Sequence, residues 1–432
     1  MTIFKNIRLG LLHVAVAVSL VPITGVLNRI MIHELGILAS LVAALIVLPY
    51  LLSPAQVWLG QYSDNHPLWG YRRTPYIAAG IMLCAGGATL TPWAALMMAE
   101  SFWLGLIVSV LVFLTWGVGF NLAVVSYLSL ASDLSEEHQR SRTIAVMWFM
   151  MITSVIVTAI LTGNALEDYN AAKLMQVFLA CGGVSLGLGA VGLIGLEPRN
   201  VWVATEERHS AGQAVRAVLA NPHARRFFVY LMLLLAAILG QDVLLEPFGA
   251  QAFGMNVRQT TQLTATWGGA TLLSLLLQGL VLSRFMSKKA GAQLGGVLAA
   301  IGLFLIALSG VISSQTLFVL AIALLGFGTG IATATNLALM LDMTTPEQVG
   351  LFIGAWGVAD SSARGLGNLL AGGVRDLVGL VIQHPAGGYV TVFILEGLML
   401  CVALALLRRI DVSAFRSEQP SLTQLIAVVG DA

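Results

Sequence analysis

Long apolar segments constrain this chain more than any other feature. A helix of about 20 mostly apolar residues is long enough to cross a bilayer. Only 10% of the residues are charged and 58% are hydrophobic, whereas soluble domains carry about 25% charged residues. We therefore predict an all-α membrane protein with the lipid bilayer as its main solvent. The predicted spans are 9–30, 37–60, 75–98, 103–132, 142–163, 173–195, 227–247, 262–285, 291–313, 315–341, 350–380 and 387–408.

Twelve spans divide evenly around one hydrophilic segment. The longest polar interruption follows the sixth span. We therefore predict a six-helix bundle over 1–196, a cytoplasmic linker over 197–226, a second six-helix bundle over 227–408 and a cytoplasmic tail over 409–432.

The two predicted halves share a weak internal repeat. An ungapped shift of 209 residues aligns Gly117 with Gly326, Gly119 with Gly328 and Asp133 with Asp342. Parallel repeats of six helices are typical of transporters whose halves are related by an axis along the membrane normal.

The distribution of basic residues predicts the orientation. With the N-terminus in the cytoplasm, 17 of the 22 Lys and Arg residues fall on the cytoplasmic side. Positive residues are enriched in cytoplasmic loops, so the sequence favours an N-in, C-in topology. The net charge of +1 does not suggest a nucleic-acid partner.

Polar residues are concentrated in one short connection between the second and third spans. It reads GQYSDNHPLWGYRRTPY over 60–76. A glycine, an aspartate four residues later and a following basic pair resemble the signature loop of the major facilitator superfamily. The chain departs from that pattern at Asn65, where the family usually has a basic residue, and in the inserted HPLW.

This resemblance implies a conformational role for the loop. Gly60 would be the close-contact glycine, Asp64 the carboxylate near a helix N-terminus, and Arg72 and Arg73 a basic pair with Asp133 as acidic partner. Gly70 in the loop and Asp342, the repeat counterpart of Asp133, complete the predicted gating set. The alternative is a solvated loop whose arginines only set the topology.

Three further segments resemble a narrower branch of the superfamily. They are GVLNRIMIHELGI (25–37), HPLWGYRRTPYI (66–77) and GQDVLLEPFGAQAFG (240–254), which are similar to the bacteriochlorophyll-delivery, PucC/LhaA-type proteins. The resemblance implies assembly of light-harvesting or other pigment-binding membrane proteins in the inner or intracytoplasmic photosynthetic membrane. It also implies handling of a tetrapyrrole, chlorophyll or bacteriochlorophyll, with no tightly bound cofactor.

Other functions stay open at this point. The same fold suits an ion-coupled secondary transporter of a small or amphiphilic solute, or a scaffold that binds assembly partners without a ligand. An intramembrane enzyme is disfavoured, because the one G-x-S-x-G match (183–187) lies inside an apolar span and a nucleophile elbow needs a strand-to-helix turn. We therefore predict that the protein is not an enzyme.

Ionisable groups at membrane depth are costly and mark candidate functional sites. Asp242 and Glu246 are four residues apart, as are Asp360 and Arg364, so each pair is expected to share a helix face. Arg29 is expected to compensate Asp242 or Glu246. The Asp360–Arg364 pair has two interpretations, a self-neutralising ion pair or a ligand or coupling site.

Uncharged polar residues complete the interior candidates. Asn28 and Asn121 are expected to bond between helices. His13 lies well within a predicted span and is a candidate ligand for the magnesium of a pigment. No other metal site is predicted.

Overall fold

A computed structural model describes residues 3–135, 140–199, 222–342, 349–382 and 384–410. Within these ranges the chain is helical apart from short connections and one isolated bridge between Leu68 and Tyr71. The predicted linker is described only at 197–199 and 222–226, and the predicted tail only at 409–410.

The α-helices that precede the linker are α1 Ile3–Val21, α2 Ala39–Leu51, α3 Ala55–Asn65, α4 Thr74–Glu100, α5 Phe102–Leu134, α6 Arg140–Ala165 and α7 Ala171–Leu193. Those that follow it are α8 Pro222–Gly240, α9 Leu245–Phe253, α10 Val257–Leu280, α11 Lys288–Val311, α12 Gln315–Asp342, α13 Val349–Val381 and α14 Gly387–Arg408.

Ten helical segments in the described ranges are long and apolar enough to cross a membrane. These segments support a multi-pass membrane protein that is in contact with lipid. The predicted eleventh span forms α13, which is a long helix but is not among the ten. The count of twelve spans and the orientation stay predictions.

The predicted second span is two helices rather than one. α2 ends at Leu51, and α3 begins after Pro54. Proline has no N–H to donate and its ring clashes with the preceding turn, which accounts for the break. The apolar part is α2 alone, with 13 residues.

The predicted seventh span is also interrupted. α8 ends at Gly240, a 3₁₀ turn covers Gln241–Val243, and α9 begins at Leu245. Pro247 lacks the N–H that would bond to the Val243 carbonyl in a continuous helix. The interruption also means that Asp242 and Glu246 do not share one helix face, which corrects the prediction made from their spacing.

The first span continues beyond α1 in two π-helical turns, Pro22–Leu27 and Ile30–Glu34. π-Helical turns are rare in proteins, but those that do occur are frequently found at functional sites. In the second turn the Leu35 amide bonds to the Ile30 carbonyl, five residues earlier. Residues five apart therefore come close together here.

The described residues form two compact units. The first comprises Met1–Glu206 and Asp242–Gly268, and the second comprises Glu207–Gln241 and Gly269–Ala432. In the first unit α1 packs against α6 and α7, and α4 against α5. In the second, α8 packs against α13 and α14, and α11 against α12.

Glycines allow the same close helix approach in both units. A Cβ on Gly87 of α4 would lie 2.6 Å from the Trp116 backbone nitrogen of α5. In the second unit, a Cβ on Gly302 of α11 would lie 2.8 Å from the Leu325 nitrogen of α12. Such small residues let membrane helices pack closely, and their recurrence gives the internal repeat a structural counterpart.

Candidate functional site

The α3–α4 loop (residues 66–73) brings together most of the predicted gating residues. Arg72 Nη2 lies 2.6 Å from Asp133 Oδ2, at the end of α5. Arg73 is only 1% exposed, and its guanidinium donates to the Gly60 carbonyl at 3.3 Å and to the Ser63 hydroxyl. The predicted pairing of the basic residues with Asp133 is therefore present, whereas its gating role stays a prediction.

Asp64 and Gly70 also belong to the predicted gating set. The Asp64 side chain lies outside the described part of the structure. Gly70 has φ +79°, a conformation that favours glycine, in the turn where Leu68 and Tyr71 exchange backbone hydrogen bonds of 2.9 Å. Gly70 therefore shapes the loop.

Glu197 is a central member of the cluster that the sequence analysis missed. Its carboxylate accepts hydrogen bonds from the backbone amides of Arg72 at 2.8 Å, Arg73 at 3.0 Å and Thr74 at 2.7 Å. These amides lie at the N-terminus of α4, where N–H groups have no partner within the helix and a negative charge is stabilising. An isolated glutamate directly after an apolar span was the available signal.

The segment after α7, which contains Glu197, makes a second contact with the α3–α4 loop. Arg199 Nε donates to the Tyr71 hydroxyl at 2.8 Å, and its guanidinium carbon lies 4.9 Å from the centre of that ring. The segment after α7 is thus tied to the α3–α4 loop by two residues, Glu197 and Arg199.

Asp342 belongs to a separate ion pair in the second unit. Lys288 Nζ lies 2.6 Å from Asp342 Oδ1, joining the start of α11 to the end of α12. Arg72 and Asp133 join the start of α4 to the end of α5 in the first unit. The two repeats therefore share an ion pair at equivalent positions in addition to their close backbone contacts.

A second polar cluster lies where the first span meets the α8–α9 break. Asn28 Nδ2 donates to the Val243 carbonyl at 2.7 Å, the acceptor that Pro247 leaves without a helical partner. Glu246 is 2% exposed, and the Thr264 hydroxyl donates to its Oε1 at 2.8 Å. These contacts all lie within the first unit.

Arg29 pairs differently from the sequence-based expectation. Its Nη1 forms an ion pair and hydrogen bond with Glu34 Oε1, and its Nη2 donates to the Met255 carbonyl at 3.0 Å. The positive charge of Arg29 also acts electrostatically on the Glu246 carboxyl. The direct partner is nevertheless Glu34, because the π-turn brings residues five apart together.

Tyr169, in the connection before α7, belongs to the same electrostatic environment. Burial raises the pKa of the Tyr169 hydroxyl above its usual value, the negative charge of Glu34 raises it further, and Arg29 opposes the shift. The cluster thus includes a titratable group from a third segment of the chain.

The predicted interhelical role of the asparagines is confirmed for Asn121. Its Nδ2 donates to the Pro49 carbonyl at 2.8 Å, and Gln56 donates to its Oδ1. Pro49 lies near the end of α2, where carbonyls have no partner within the helix. Asn121 therefore fixes the break between α2 and α3 against α5.

His13 stands between aromatic rings. Its centroid lies 5.1 Å from that of Tyr127 and 6.1 Å from that of Trp148. Its Nδ1 is buried and has no hydrogen-bond partner among the described residues. The ring nitrogen is therefore available to bind a ligand. The ring contacts with Tyr127 and Trp148 are also those of a residue that packs between helices.

α13 and α14 also carry interior charges. Arg364 Nε lies 3.2 Å from Asp360 Oδ2, as the spacing of four residues predicts. Glu396, in the middle of α14, is 5% exposed and was passed over in the sequence analysis, although a single carboxylate within VFILEGLML was a readable signal.

The chain is similar to known proteins over most of its length. The chain matches the family described as PUCC protein over residues 26–415. It is 32% identical over 422 residues to Protein PucC of Cereibacter sphaeroides, which covers 94% of this chain and 92% of that protein. It is 29% identical over 411 residues to the Bacteriochlorophyll synthase 44.5 kDa chain of Rhodobacter capsulatus, covering 92% of each.

Solved structures support the fold. A bacterial homolog of the human lysosomal transporter Spinster, inward-facing and occupied, matches with TM-score 0.73 and 14% identity over 95% of this chain and 97% of that one. A D-xylose-proton symporter matches with TM-score 0.71 and 15% identity over 95% and 98%. At this identity the likeness concerns the fold alone. The chain therefore belongs to the PUCC protein family and has the fold of major-facilitator transporters.

Proposed function

We propose that this protein binds (bacterio)chlorophyll and delivers it during assembly of light-harvesting or related pigment-binding membrane proteins. The observation that carries the proposal is similarity over almost the full length to Protein PucC and to a protein named Bacteriochlorophyll synthase 44.5 kDa chain. The proposed setting is the inner or intracytoplasmic photosynthetic membrane, with twelve spans and both termini in the cytoplasm.

The proposed cargo is a large apolar ring with a central magnesium ion. Neutral imidazole is a metal ligand, and His13 has a buried ring nitrogen without a partner among the described residues. Tyr127 and Trp148 beside it offer aromatic surface to a flat macrocycle. We propose His13 as the axial ligand of the bound pigment.

The α3–α4 loop is proposed to control the conformation of the carrier. Arg72, Arg73, Asp133 and Glu197 form one connected set of ion pairs and hydrogen bonds at the ends of α4 and α5. If these contacts are present in one conformation and broken in another, the equilibrium between the two conformations shifts by the free energy that the contacts contribute. These residues would act on delivery and leave the pigment's electronic environment unchanged.

We further propose that the protein carries its cargo without altering it chemically, although one relative is named a synthase chain. The contacts of Arg72, Asp133 and Glu197 suit conformational change, and the buried ring nitrogen of His13 suits binding. Purified protein incubated with the tetrapyrrole is expected to return it unchanged by mass spectrometry, and a product of altered mass would reject this part.

Co-purification tests the binding step. The protein, expressed in a phototrophic host and isolated in mild detergent, is expected to carry pigment in a fixed molar ratio, measured by its absorption spectrum. His13→Ala should lose that pigment, whereas His33→Ala, on an exposed residue, should retain it. Colourless wild-type protein that takes up a solute in vesicles would reject the proposal and favour an ion-coupled transporter.

A further inference from the structure

Glu246 occupies an unusual position for a carboxyl group. It lies in the first turn of α9, directly after the break in the seventh span, and is 2% exposed. A Cβ on Gly25 in the first π-turn would collide with Glu246 Oε1, so the glycine allows the carboxyl to lie against the first span. The carboxyl group is thus enclosed by two irregular helical segments.

The hydrogen bonds of Glu246 are incomplete on one side. Thr264 donates to Oε1, but no described residue hydrogen-bonds to Oε2. Asn28 Oδ1 and Arg29 Nε, both on buried residues of the adjacent first span, also have no partner among the described residues. An ionised carboxylate needs donors or a paired cation when buried, whereas a carboxylic acid carries its own donor.

Arg29 has two carboxyl groups within its electrostatic range but bonds directly to one of them. Its ion pair is with Glu34, whose side chain is 26% exposed, while Glu246 feels its charge without a direct ion pair. Arginine keeps its positive charge at any physiological pH. The charge of Arg29 can therefore be shared between Glu34 and an ionised Glu246.

We infer that Glu246 is a proton-binding site and that Arg29 is the cation that replaces the proton. In the bound state Glu246 Oε2 carries the proton and Arg29 pairs with Glu34. On release, the O–H bond breaks, the proton passes to water at the exposed end near Glu34, and Arg29 moves toward the carboxylate. The proton takes its positive charge to water, so the group of Arg29, Glu34 and Glu246 changes from neutral to a net negative charge while Arg29 stays a cation.

Several charged or titratable residues lie on the segments that meet at this cluster. They are Arg29, His33 and Glu34 on the first span, Tyr169 in the connection before α7, and Asp242 in the α8–α9 break. From α10, Thr261 and Thr264 present hydroxyls. Arg29 is the cation among them that acts on Glu246.

This site goes beyond the proposed function and does not depend on it. Proton exchange at Glu246 would change the contacts between the first span and α9, and a change in contacts that differs between two states shifts the equilibrium between them. The proton is the ligand whichever larger cargo the protein carries. A protein without pigment would still show the exchange.

Infrared pH-difference spectroscopy of wild-type protein in liposomes tests the inference. We expect a carboxylic-acid C=O band that disappears as the pH rises, and we expect Glu246→Gln to lack it. Asp360→Asn, which removes a carboxyl from α13, should retain the band. Glu34→Gln should make the band disappear at a lower pH, because Arg29 is then released to pair with Glu246.

A second variant covers the case in which Glu246→Gln does not fold. Thr264→Val removes the hydrogen bond to Oε1 and should therefore shift the frequency of the band without abolishing it. No titrating carboxylic-acid band in the wild type would overturn the inference. A band that is unchanged in both Glu246→Gln and Thr264→Val would overturn it as well.

Discussion

Arg72 and Asp133 form a 2.6 Å ion pair between the start of α4 and the end of α5. The repeat places Lys288 and Asp342 in the same relationship, also at 2.6 Å, between α11 and α12. The pairs differ in exposure: 15% and 19% of the side-chain surface in the first, against 47% and 35% in the second. Exposure governs the worth of an ion pair, because water screens its charges.

The first prediction compares the two pairs. Asp133→Asn should lower stability by about 1–3 kcal/mol, between the values for exposed and buried pairs. Asp342→Asn should cost about 0–1 kcal/mol, as exposed pairs do. Thermal unfolding in the same detergent measures both losses of stability. An equal or larger loss of stability for Asp342→Asn would show that the less exposed Arg72–Asp133 pair does not stabilise the protein more than the Lys288–Asp342 pair.

The second prediction concerns the close approach of α4 and α5. Gly87→Ala should destabilise the protein by about 1–3 kcal/mol, since overpacking forces the backbone to shift. Gly86→Ala is the matched control on the same helix, because no atom lies within 4 Å of its added Cβ. The control should be neutral or stabilising, as alanine is the better helix former.

Thermal unfolding in one detergent compares the two glycine variants directly. Equal melting temperatures would contradict the packing described for these helices.

The third prediction concerns Glu197. Glu197→Gln should speed hydrogen exchange at the amides of Arg72, Arg73 and Thr74 about tenfold, because hydrogen bonds to a charged group contribute about 1.5–3 kcal/mol and a neutral amide replaces only part of that. Mass spectrometry of peptides spanning the α3–α4 loop measures the rates.

Glu167→Gln serves as the control for Glu197. Its ion pair with Arg258 lies elsewhere and is 50% and 40% exposed, so exchange at the α3–α4 loop should stay unchanged. Equal exchange in wild type and Glu197→Gln would show that this carboxylate does not hold the start of α4.

The fourth prediction separates the two interpretations of Asp360 and Arg364. Asp360→Asn and Arg364→Gln should each lower the folded yield, because each removes one charge of a pair in α13. The double variant should recover the yield, since it removes both charges together. Fluorescence-detected size exclusion gives the yields.

A double variant that folds no better than the single variants would contradict the self-neutralising interpretation. Recovered yield together with lost pigment binding would assign the pair to the ligand site.

The sequence predicted those features that depend on local pattern. Apolar length predicted the helices, and a short motif singled out Gly60, Arg72 and Arg73. The pairing of the basic residues with Asp133 came from the resemblance to the major facilitator superfamily and not from a local pattern. Pro54 and Pro247 were visible in the sequence, but apolar length alone concealed the two helix breaks that they produce.

Contacts between distant segments were not predictable in this way. Glu197 lies more than a hundred residues from the amides that it binds, so no local pattern connects them. Arg29 was expected to compensate Asp242 or Glu246, because the resemblance to the major facilitator superfamily implies that the first and seventh spans lie close together. Its partner Glu34 is five residues away, a spacing that becomes close in a π-turn.

Pigment transfer tests the central claim most directly. Wild-type protein loaded with bacteriochlorophyll is mixed with light-harvesting polypeptides free of pigment, and the absorption spectrum is followed over time. We expect the band of the assembled complex to grow as the carrier's band falls, and to grow more slowly with Asp133→Asn. Pigment that stays on the carrier, or reaches the polypeptides equally fast without it, would contradict delivery as the function.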